Sequence, residues 1–204
     1  MPKLILSSKP IGKGSERACF VHPEDPRKAI KIPFSKAQQQ TIRDIRFYRE
    51  LKKRTVRSVI HIPEYYGLCD TNAGRGIVVD LVRNYDGEFS RPLGWYLLQG
   101  VPIEEFDAYL EELKQCFLEH LIICGKDLNI GDLLVQKTSM SKARLVAIDG
   151  YGDASAFAWL DRIPFFAQRK IRRRWKQFYK QMFRSEEVRA QRERAARIAA
   201  EQDG

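Results

Sequence analysis

Three aspartates stand where strands are predicted to begin or end. The stretch CGKDLNIGDLLVQK, residues 124–137, holds Asp127 and Asp132 five residues apart, and the apolar run after Asp132 predicts a strand. Asp149 ends a second predicted strand, RLVAID, and precedes Gly150. Carboxylates at strand ends could bind Mg²⁺, which prefers carboxylate and phosphate oxygens, and could orient a hydroxyl group. Each aspartate could equally stand in an ordinary turn.

Two glycines near the N-terminus could approach a phosphate group. Gly12 and Gly14 in IGKGSERACF stand between two predicted strands, and glycine permits close approach because it has no Cβ. A plain hairpin turn explains them as well. Lys31 follows on the predicted strand KAIKI, where its ammonium could reach phosphate oxygens or could simply face solvent.

After the first strands the spacing of apolar residues changes from that of a strand to that of a helix. This change predicts a helix over residues 36–53, KAQQQTIRDIRFYRELKK. Glu50 on this helix could pair with Lys31 and hold it in place, or it could form a surface contact with Lys53. The predicted core-facing positions of the helix are Ile42, Ile45, Tyr48, Arg49 and Leu51.

The order of the predicted elements indicates an α+β protein. Short strands dominate the first part of the chain, and two of them flank the turn DTNAGRG. The clearest helix is predicted over residues 102–123, with Pro102 in its first turn and Gly125 as the terminating residue. From about Ile163 the sequence is helical, aromatic and basic. A small sheet lobe therefore precedes a mainly helical lobe.

Taken in order, these features resemble the protein-kinase signature: a G-x-G loop, a strand lysine, a helix glutamate, an aspartate with a metal ligand five residues on, and a strand-end Asp-x-Gly. The segments FYREL, GLCDTNAGRGIVVDLVRNYDG and DLNIGDLLV are more closely similar to the bacterial YrbL-type family. That family is named for the PhoP regulatory network and is regarded as kinase-like. The resemblance covers roughly residues 8–185.

The resemblance implies a two-lobed protein-kinase-like domain, with an antiparallel N lobe at about 1–83 and a reduced C lobe at about 84–185, before a charged helical tail over 186–204. It also implies ATP and Mg²⁺ as cofactors and transfer of the γ-phosphoryl group to an unknown hydroxyl acceptor. The implied nucleotide-binding residues are Gly12, Gly14, Lys31 and Asp80, the last near the hinge that holds adenine. The implied catalytic residues are Asp127 as the base, with Lys31 and its partner Glu50. The implied metal ligands are Asp132 and Asp149.

Several departures from the kinase signature keep a second interpretation open. Arg17 replaces the third glycine of the loop, Gly125 the usual histidine, and Asp132 the usual asparagine. The segment after Asp149 has no room for a long activation loop. A catalytically weak or inactive pseudokinase, acting as a nucleotide-binding regulatory or scaffold module, is therefore the alternative to an active phosphotransferase.

The basic character of the chain is concentrated at its C-terminal end. The net charge is +10, of which +7 comes from residues 169–204. This segment contains 12 Lys and Arg and five Asp and Glu. Apolar side chains recur at intervals of three and four residues in QRKIRRRWKQFYKQMFR. This spacing predicts a helix that packs its aromatic face on the C lobe and leaves its arginines in solvent. The other interpretation is an anionic partner, which could be nucleic acid, an anionic membrane surface, or a phosphorylated or acidic substrate. No helix-turn-helix signature supports nucleic acid.

The cysteines and the apolar segments predict a cytoplasmic protein. The four cysteines form no C-x-x-C pair and the three histidines do not cluster near them, which argues against zinc and disulfide sites. No stretch approaches the roughly 18–20 apolar residues of a membrane span, and the N-terminus lacks a signal peptide's apolar region. The predicted partners are a nucleotide and a small-molecule or protein acceptor, without an integral membrane segment.

Overall fold

The chain divides into two compact units, Met1–Arg83 and Asn84–Gly204. The computed structural model describes residues 3–6, 9–14, 16–34, 39–54, 59–124, 128–151 and 163–185, together with positions 188, 190 and 193. The predicted tail over 186–204 therefore lies almost entirely outside the described residues. The predicted α+β class is confirmed, because an antiparallel sheet dominates the first unit and helices dominate the second.

A five-stranded antiparallel sheet forms the first unit. Its strands are β1 (Gly12–Lys13), β2 (Arg17–Val21), β3 (Lys28–Pro33), β4 (Tyr65–Thr71) and β5 (Gly74–Asp80), in the spatial order β1-β2-β3-β5-β4. Helix α1 (Gln39–Lys53) connects β3 to β4. The tight turn between β4 and β5 is closed by the Thr71 hydroxyl, which donates to the Gly74 carbonyl at 2.6 Å.

Strand register gives this sheet two distinct faces. Gly12 lies opposite Cys19, Cys19 opposite Lys31, and Lys31 opposite Ile77. Directly opposed residues of antiparallel strands project to the same side, so these four positions form one row on one face, here called the lysine face. The alternate positions build a core cluster on the other face from Ile30, Ile32 and Val78, with Leu4, Leu6, Phe20 and Cys69 packed against it.

Helix α1 packs on the lysine face. Arg17, two residues before Cys19 on β2, places Nη1 2.7 Å from Oδ2 of Asp44 on α1. Tyr48 of α1 stacks on Tyr65 of β4, with ring centroids 5.1 Å apart and an interplanar angle of 12°. An ion pair and an aromatic stack therefore fix the helix above the row that contains Lys31.

These contacts overturn the predicted orientation of the helix. Of the predicted core-facing positions Tyr48 is buried, whereas Ile42 is 45% exposed and Arg49 is exposed. Thr41 and Asp44 are buried beside Tyr48 instead. The sheet supplies partners for a mixed polar and aromatic helix face, so the isoleucine pattern does not decide which side is buried. Residues 36–38 of the predicted helix lie outside the described residues.

The second unit combines helices with a three-stranded antiparallel sheet. The strands β6 (Arg91–Pro92), β7 (Leu133–Lys137) and β8 (Ala143–Ala147) pair in the order β6-β7-β8. The helices are α2 (Leu93–Leu98), a 3₁₀ turn (Ile103–Phe106), α3 (Asp107–Glu119) and α4 (Pro164–Met182). Phe117 of α3 meets Trp175 of α4 edge to face at 5.9 Å, so the aromatic side of α4 lies in the core as predicted.

The predicted helix over 102–123 ends earlier than its sequence pattern indicates. Leu121 has a φ of 50°, and the Ile122 N–H donates to the Phe117 carbonyl at 2.8 Å. This hydrogen bond closes the helix in a Schellman-type cap without glycine. The prediction that Gly125 terminates the helix is therefore wrong, because the chain has already left the helix at Glu119.

Among the described residues, no helix combines the length and the apolar character needed to cross a membrane.

Candidate functional site

The glycine loop of the first unit is a hairpin between β1 and β2. The Ile11 N–H donates to the Cys19 carbonyl at 2.8 Å, and the Gly14 N–H donates to the Arg17 carbonyl at 2.9 Å. A Cβ added at Gly14 would meet only the Arg17 carbonyl, at 3.8 Å, and one added at Gly12 would meet nothing within 4 Å. The hairpin therefore has open space on its lysine face.

Gly76, in the same sheet, is a glycine that packing requires, because a side chain there would clash with its neighbours. A Cβ there would lie 2.6 Å from Ile30 Cγ2 and 3.1 Å from the Lys31 carbonyl oxygen. Among the described residues nothing comparable surrounds Gly12, so side-chain packing does not require a glycine there. A bound group that approaches the backbone would explain it.

Lys31 is buried at the centre of the sheet. Only 8% of the residue is exposed, which excludes the alternative of a solvent-facing lysine. Burial raises the pKa of the Cys19 thiol, and the positive charges of Lys31 and Arg17 oppose that rise. The lysine face therefore carries two buried cations, and α1 supplies the carboxylate of Asp44 to one of them, Arg17.

Glu50, predicted as the partner of Lys31, lies on another side of α1. Its Oε1 is 3.0 Å from Lys53 Nζ, and its side chain is 40% exposed. At about 100° per residue, Glu50 lies roughly opposite Thr41 and Tyr48, which face the sheet. The local contact with Lys53, the alternative foreseen from the sequence, is therefore present.

Asp44 is the residue that sequence reasoning missed. It is 1% exposed and lies on the sheet-facing side of α1. The available signal was the spacing of Asp44, three residues after Thr41 and four before Tyr48, which places all three on one helix face. The isoleucines nearby obscured it, because they suggested a different buried face.

Asp80 ends β5 and uses its carboxylate within the first unit. Its Oδ1 accepts a hydrogen bond from the Tyr66 hydroxyl at 2.8 Å, and its Oδ2 accepts one from the Glu64 N–H at 2.9 Å. The bond to Asp80 raises the pKa of Tyr66 to about 12. The carboxylate thus fastens the start of β4, and a role for Asp80 in adenine binding stays a prediction.

Asp132 is held in a compact turn directly before β7. Its Oδ2 accepts hydrogen bonds from the Asn129 backbone N–H at 3.0 Å and from the Asn129 side-chain amide at 2.7 Å. Its backbone carbonyl accepts from the Ile148 N–H at 2.9 Å, which continues the ladder between β7 and β8. The turn therefore fixes the carboxylate in a defined position.

Asp149 lies at the same end of this strand pair. Leu133 pairs with Ala147, so the residue before β7 and the second residue after β8 emerge together. The Asp149 Oδ1 accepts the Gly150 N–H at 2.7 Å. Gly150 has a φ of +78°, and a Cβ there would lie 3.2 Å from Leu128 Cδ1. Both predicted metal ligands thus lie at the same end of the β7–β8 strand pair.

Asp127, the predicted base, lies outside the described residues, as does Gly125. The described residues on either side of that stretch contact the segment of Asp149. Cys124 forms an isolated bridge with Tyr151, and Gly150 approaches Leu128. The chain before and after Asp127 is therefore anchored beside Asp149.

Asp132 and Asp149 are the described carboxylates that could hold the magnesium ion expected from the sequence. Mg²⁺ commonly takes one or two protein carboxylates and completes its shell with phosphate oxygens and water. Asp132 and Asp149 supply two carboxylates at one strand end. In the part of the chain that the structure describes, no group of three or more His, Cys, Asp or Glu residues is arranged so that it could hold a metal ion.

Comparison with known proteins gives relatives in sequence and in structure. The chain is 28% identical over 182 residues to "Uncharacterized protein YrbL" of Escherichia coli strain K12, covering 87% of this chain and 86% of that protein. The Shigella flexneri protein of the same name matches equally. Similar solved structures include the kinase domain of Mycobacterium tuberculosis PknI, with 16% identity, a TM-score of 0.48 and 70% of this chain covered. The chain spans 57% of the length of that domain.

The model of the family described as PhoP regulatory network protein YrbL matches residues 4–183. Since this match takes in almost all of the described residues, the chain belongs to the YrbL family.

Proposed function

We propose that the chain is a kinase-like phosphotransferase that moves the γ-phosphoryl group of ATP to a hydroxyl acceptor. The observation that carries the proposal is the row of Gly12, Cys19 and Lys31 on one face of the sheet. It combines an open, side-chain-free position on β1 with a buried lysine on β3. The backbones of these two strands lie about 10 Å apart at normal strand spacing. A lysine on the third strand beside a glycine hairpin is the phosphate-binding arrangement of protein kinases.

The first unit would bind the nucleotide phosphates. Backbone N–H groups around Gly12 and Gly14 would approach the phosphate oxygens, and Lys31 would neutralise part of their charge. A helix carboxylate would keep the lysine side chain in position. Asp44 is better placed for that task than Glu50, because it is buried on the side of α1 that faces the sheet.

The second unit would supply the acidic residues of the reaction. Asp132 and Asp149 would hold Mg²⁺, which neutralises phosphate charge when bound. Asp127 would accept, or orient, the proton of the acceptor hydroxyl. Little covalent work falls to the protein in phosphoryl transfer, so positioning and charge neutralisation would provide most of the rate.

The test is ATP turnover by the full chain with Mg²⁺, followed as release of ADP, beside a direct measurement of ATP binding. Asp127→Asn should keep its affinity for ATP and lose turnover by about 10²–10⁴-fold, the usual contribution of a general base. Asp86→Asn, at an exposed aspartate of the same unit, is the matched control and should retain both. Full turnover by Asp127→Asn would exclude that residue as the base, and absence of ATP binding by the wild type would refute the proposal.

A nucleotide-binding module without turnover is the second candidate. Two observations favour it: Arg17, at the third-glycine position, is committed to Asp44, and the Asp132 carboxylate already accepts two hydrogen bonds from Asn129. This candidate predicts ATP binding with no release of ADP by the wild type, and Asp127→Asn would then behave as the wild type does.

A further inference from the structure

Helix α4 carries a basic stripe on its solvent side. Its other side is buried in the core through Ala167, Ile171, Trp175, Phe178 and Met182. At about 100° per residue, six exposed cations fall within an arc of about 120°, and they extend over about 22 Å of helix. These residues, which define the basic stripe, are Arg169, Arg172, Arg173, Lys176, Lys180 and Arg184.

The helix itself does not neutralise this charge. Residues 163–185 contain eight Lys and Arg and no Asp or Glu. Like charges at helical spacing repel one another, so the stripe destabilises the isolated helix slightly. An anionic surface would relieve that repulsion, and the stripe is therefore complementary to a polyanion.

Exposed apolar side chains lie at the N-terminal end of the stripe. Ile163 is 40% exposed, Phe165 67% and Phe166 43%. The two phenylalanine rings meet edge to face at 5.4 Å. By the same helical geometry, Phe165 and Phe166 lie within or beside the arc of the basic stripe. We call these three residues the apolar tip.

We propose that α4 docks the protein on an anionic lipid surface, with the basic stripe on phosphate headgroups and the apolar tip inserted between them. The stripe and the two phenylalanines of the tip lie on one side of the helix, so a flat interface can contact both. Basic clusters of this size on a helix are attracted to anionic leaflets, and an added apolar contact is the usual second anchoring signal.

Two competing arrangements fit the surface less well. An interfacial helix that buries its own apolar side in lipid is excluded, because Ile171, Trp175 and Phe178 are already buried in the protein. A single-stranded nucleic acid would use the stripe and could stack on the phenylalanines. It would have no use for the aliphatic Ile163, which lipid acyl chains accommodate.

Co-sedimentation of the full chain with vesicles tests the proposal. At low salt the wild type should bind vesicles of phosphatidylcholine mixed with phosphatidylglycerol, and it should not bind phosphatidylcholine alone. Added salt should release it, because screening weakens attraction to the surface. This readout needs no nucleotide, so it stands or falls separately from phosphoryl transfer.

Two matched double variants locate the contact. Lys176→Glu with Lys180→Glu reverses two charges of the stripe and should lower the vesicle partition coefficient at least about tenfold. Lys137→Glu with Lys142→Glu makes the same change of net charge at exposed lysines of the second unit and should bind nearly as the wild type does. Equal loss in both double variants would show a general charge effect and would overturn the proposal.

A second pair of variants tests the tip. Phe165→Ser should weaken binding severalfold, whereas Met140→Ser, at a residue 93% exposed, should not change it. Wild-type protein that ignores anionic vesicles at low salt would refute lipid docking. Retention of single-stranded polythymidine at salt concentrations that release the vesicles would assign the stripe to nucleic acid instead.

Discussion

Arg17 Nη1 lies 2.7 Å from Asp44 Oδ2, and this ion pair joins strand β2 to helix α1 with side chains only 6% and 2% exposed. In the sequence Arg17 replaces the third glycine of a kinase-type loop. In the structure its side chain instead fixes the helix above Lys31. The substitution therefore has a structural role within the first unit.

We expect Asp44→Asn to lower the free energy of unfolding by about 3–5 kcal/mol, because it leaves the Arg17 guanidinium buried without its countercharge. Urea unfolding of the full chain measures this loss. Glu50→Gln is the control, and it should cost less than about 0.5 kcal/mol because the Glu50–Lys53 pair is largely exposed.

Replacing both members of the ion pair distinguishes the contribution of the pair from the cost of burying one charge without its partner. The double variant Arg17→Met with Asp44→Leu should recover most of the stability lost in Asp44→Asn, since neither position of the pair then holds a buried charge without its partner. If Glu50→Gln proves as costly as Asp44→Asn, the assignment of Asp44 as the buried helix carboxylate is wrong.

The fold could be predicted from the sequence wherever the spacing of apolar residues and the turn residues indicated the same element. The apolar residues on either side of Lys31, the turn DTNAGRG and the aromatic spacing of α4 each predicted the element that forms. The orientation of α1 was not readable, because a buried ion pair and a tyrosine stack override the isoleucine pattern. The end of α3 was missed because Leu121, rather than a glycine, adopts the left-handed conformation.

The candidate site was predictable in its order along the chain and less so in its side-chain partners. Register places Gly12 and Lys31 in one row, and Asp132 and Asp149 at one strand end. Which acid of α1 faces the sheet depends on helix rotation, and local patterns do not fix that angle. The engagement of Asp80 with Tyr66 depends on the pairing of β4 with β5, which adjacent residues do not reveal.

Alanine substitutions should distinguish a glycine that packing requires, Gly76, from one that leaves room for a ligand, Gly12. Gly76→Ala should destabilise the protein by about 1–3 kcal/mol, because its Cβ would meet Ile30 Cγ2 at 2.6 Å. Gly12→Ala should leave stability nearly unchanged and weaken ATP binding, since its Cβ would occupy only open space on the lysine face. Thermal unfolding and ATP titration of both variants measure the two effects. Unchanged ATP affinity in Gly12→Ala would argue against phosphate approach at this hairpin.

Alkaline pH should weaken the link between Tyr66 and Asp80. The hydrogen bond raises the pKa of Tyr66 from 10.0 to about 12, so the folded protein holds the phenolic proton more tightly than the unfolded chain does. The stabilisation is therefore complete below about pH 10 and is lost as the pH rises towards about 12.

Tyr66→Phe isolates this hydroxyl, because the ring remains available to Lys28, whose Nζ lies 4.4 Å from its centroid. The stability difference between wild type and Tyr66→Phe, measured by urea unfolding, should be present below pH 10 and should shrink above it. Tyr85→Phe, at a tyrosine of similar exposure, should show no such dependence. A difference that grows with pH would contradict the assigned hydrogen bond.

A calorimetric titration of ATP, with and without Mg²⁺, on the wild type and on Asp149→Asn tests whether the chain binds ATP together with Mg²⁺ through Asp149. Asp86→Asn serves as the control for loss of one carboxylate. The wild type should bind ATP more tightly when Mg²⁺ is present, and Asp149→Asn should keep the metal-free affinity but lose the enhancement. A wild type that binds no ATP in either condition, or an enhancement that survives in Asp149→Asn, would contradict the account.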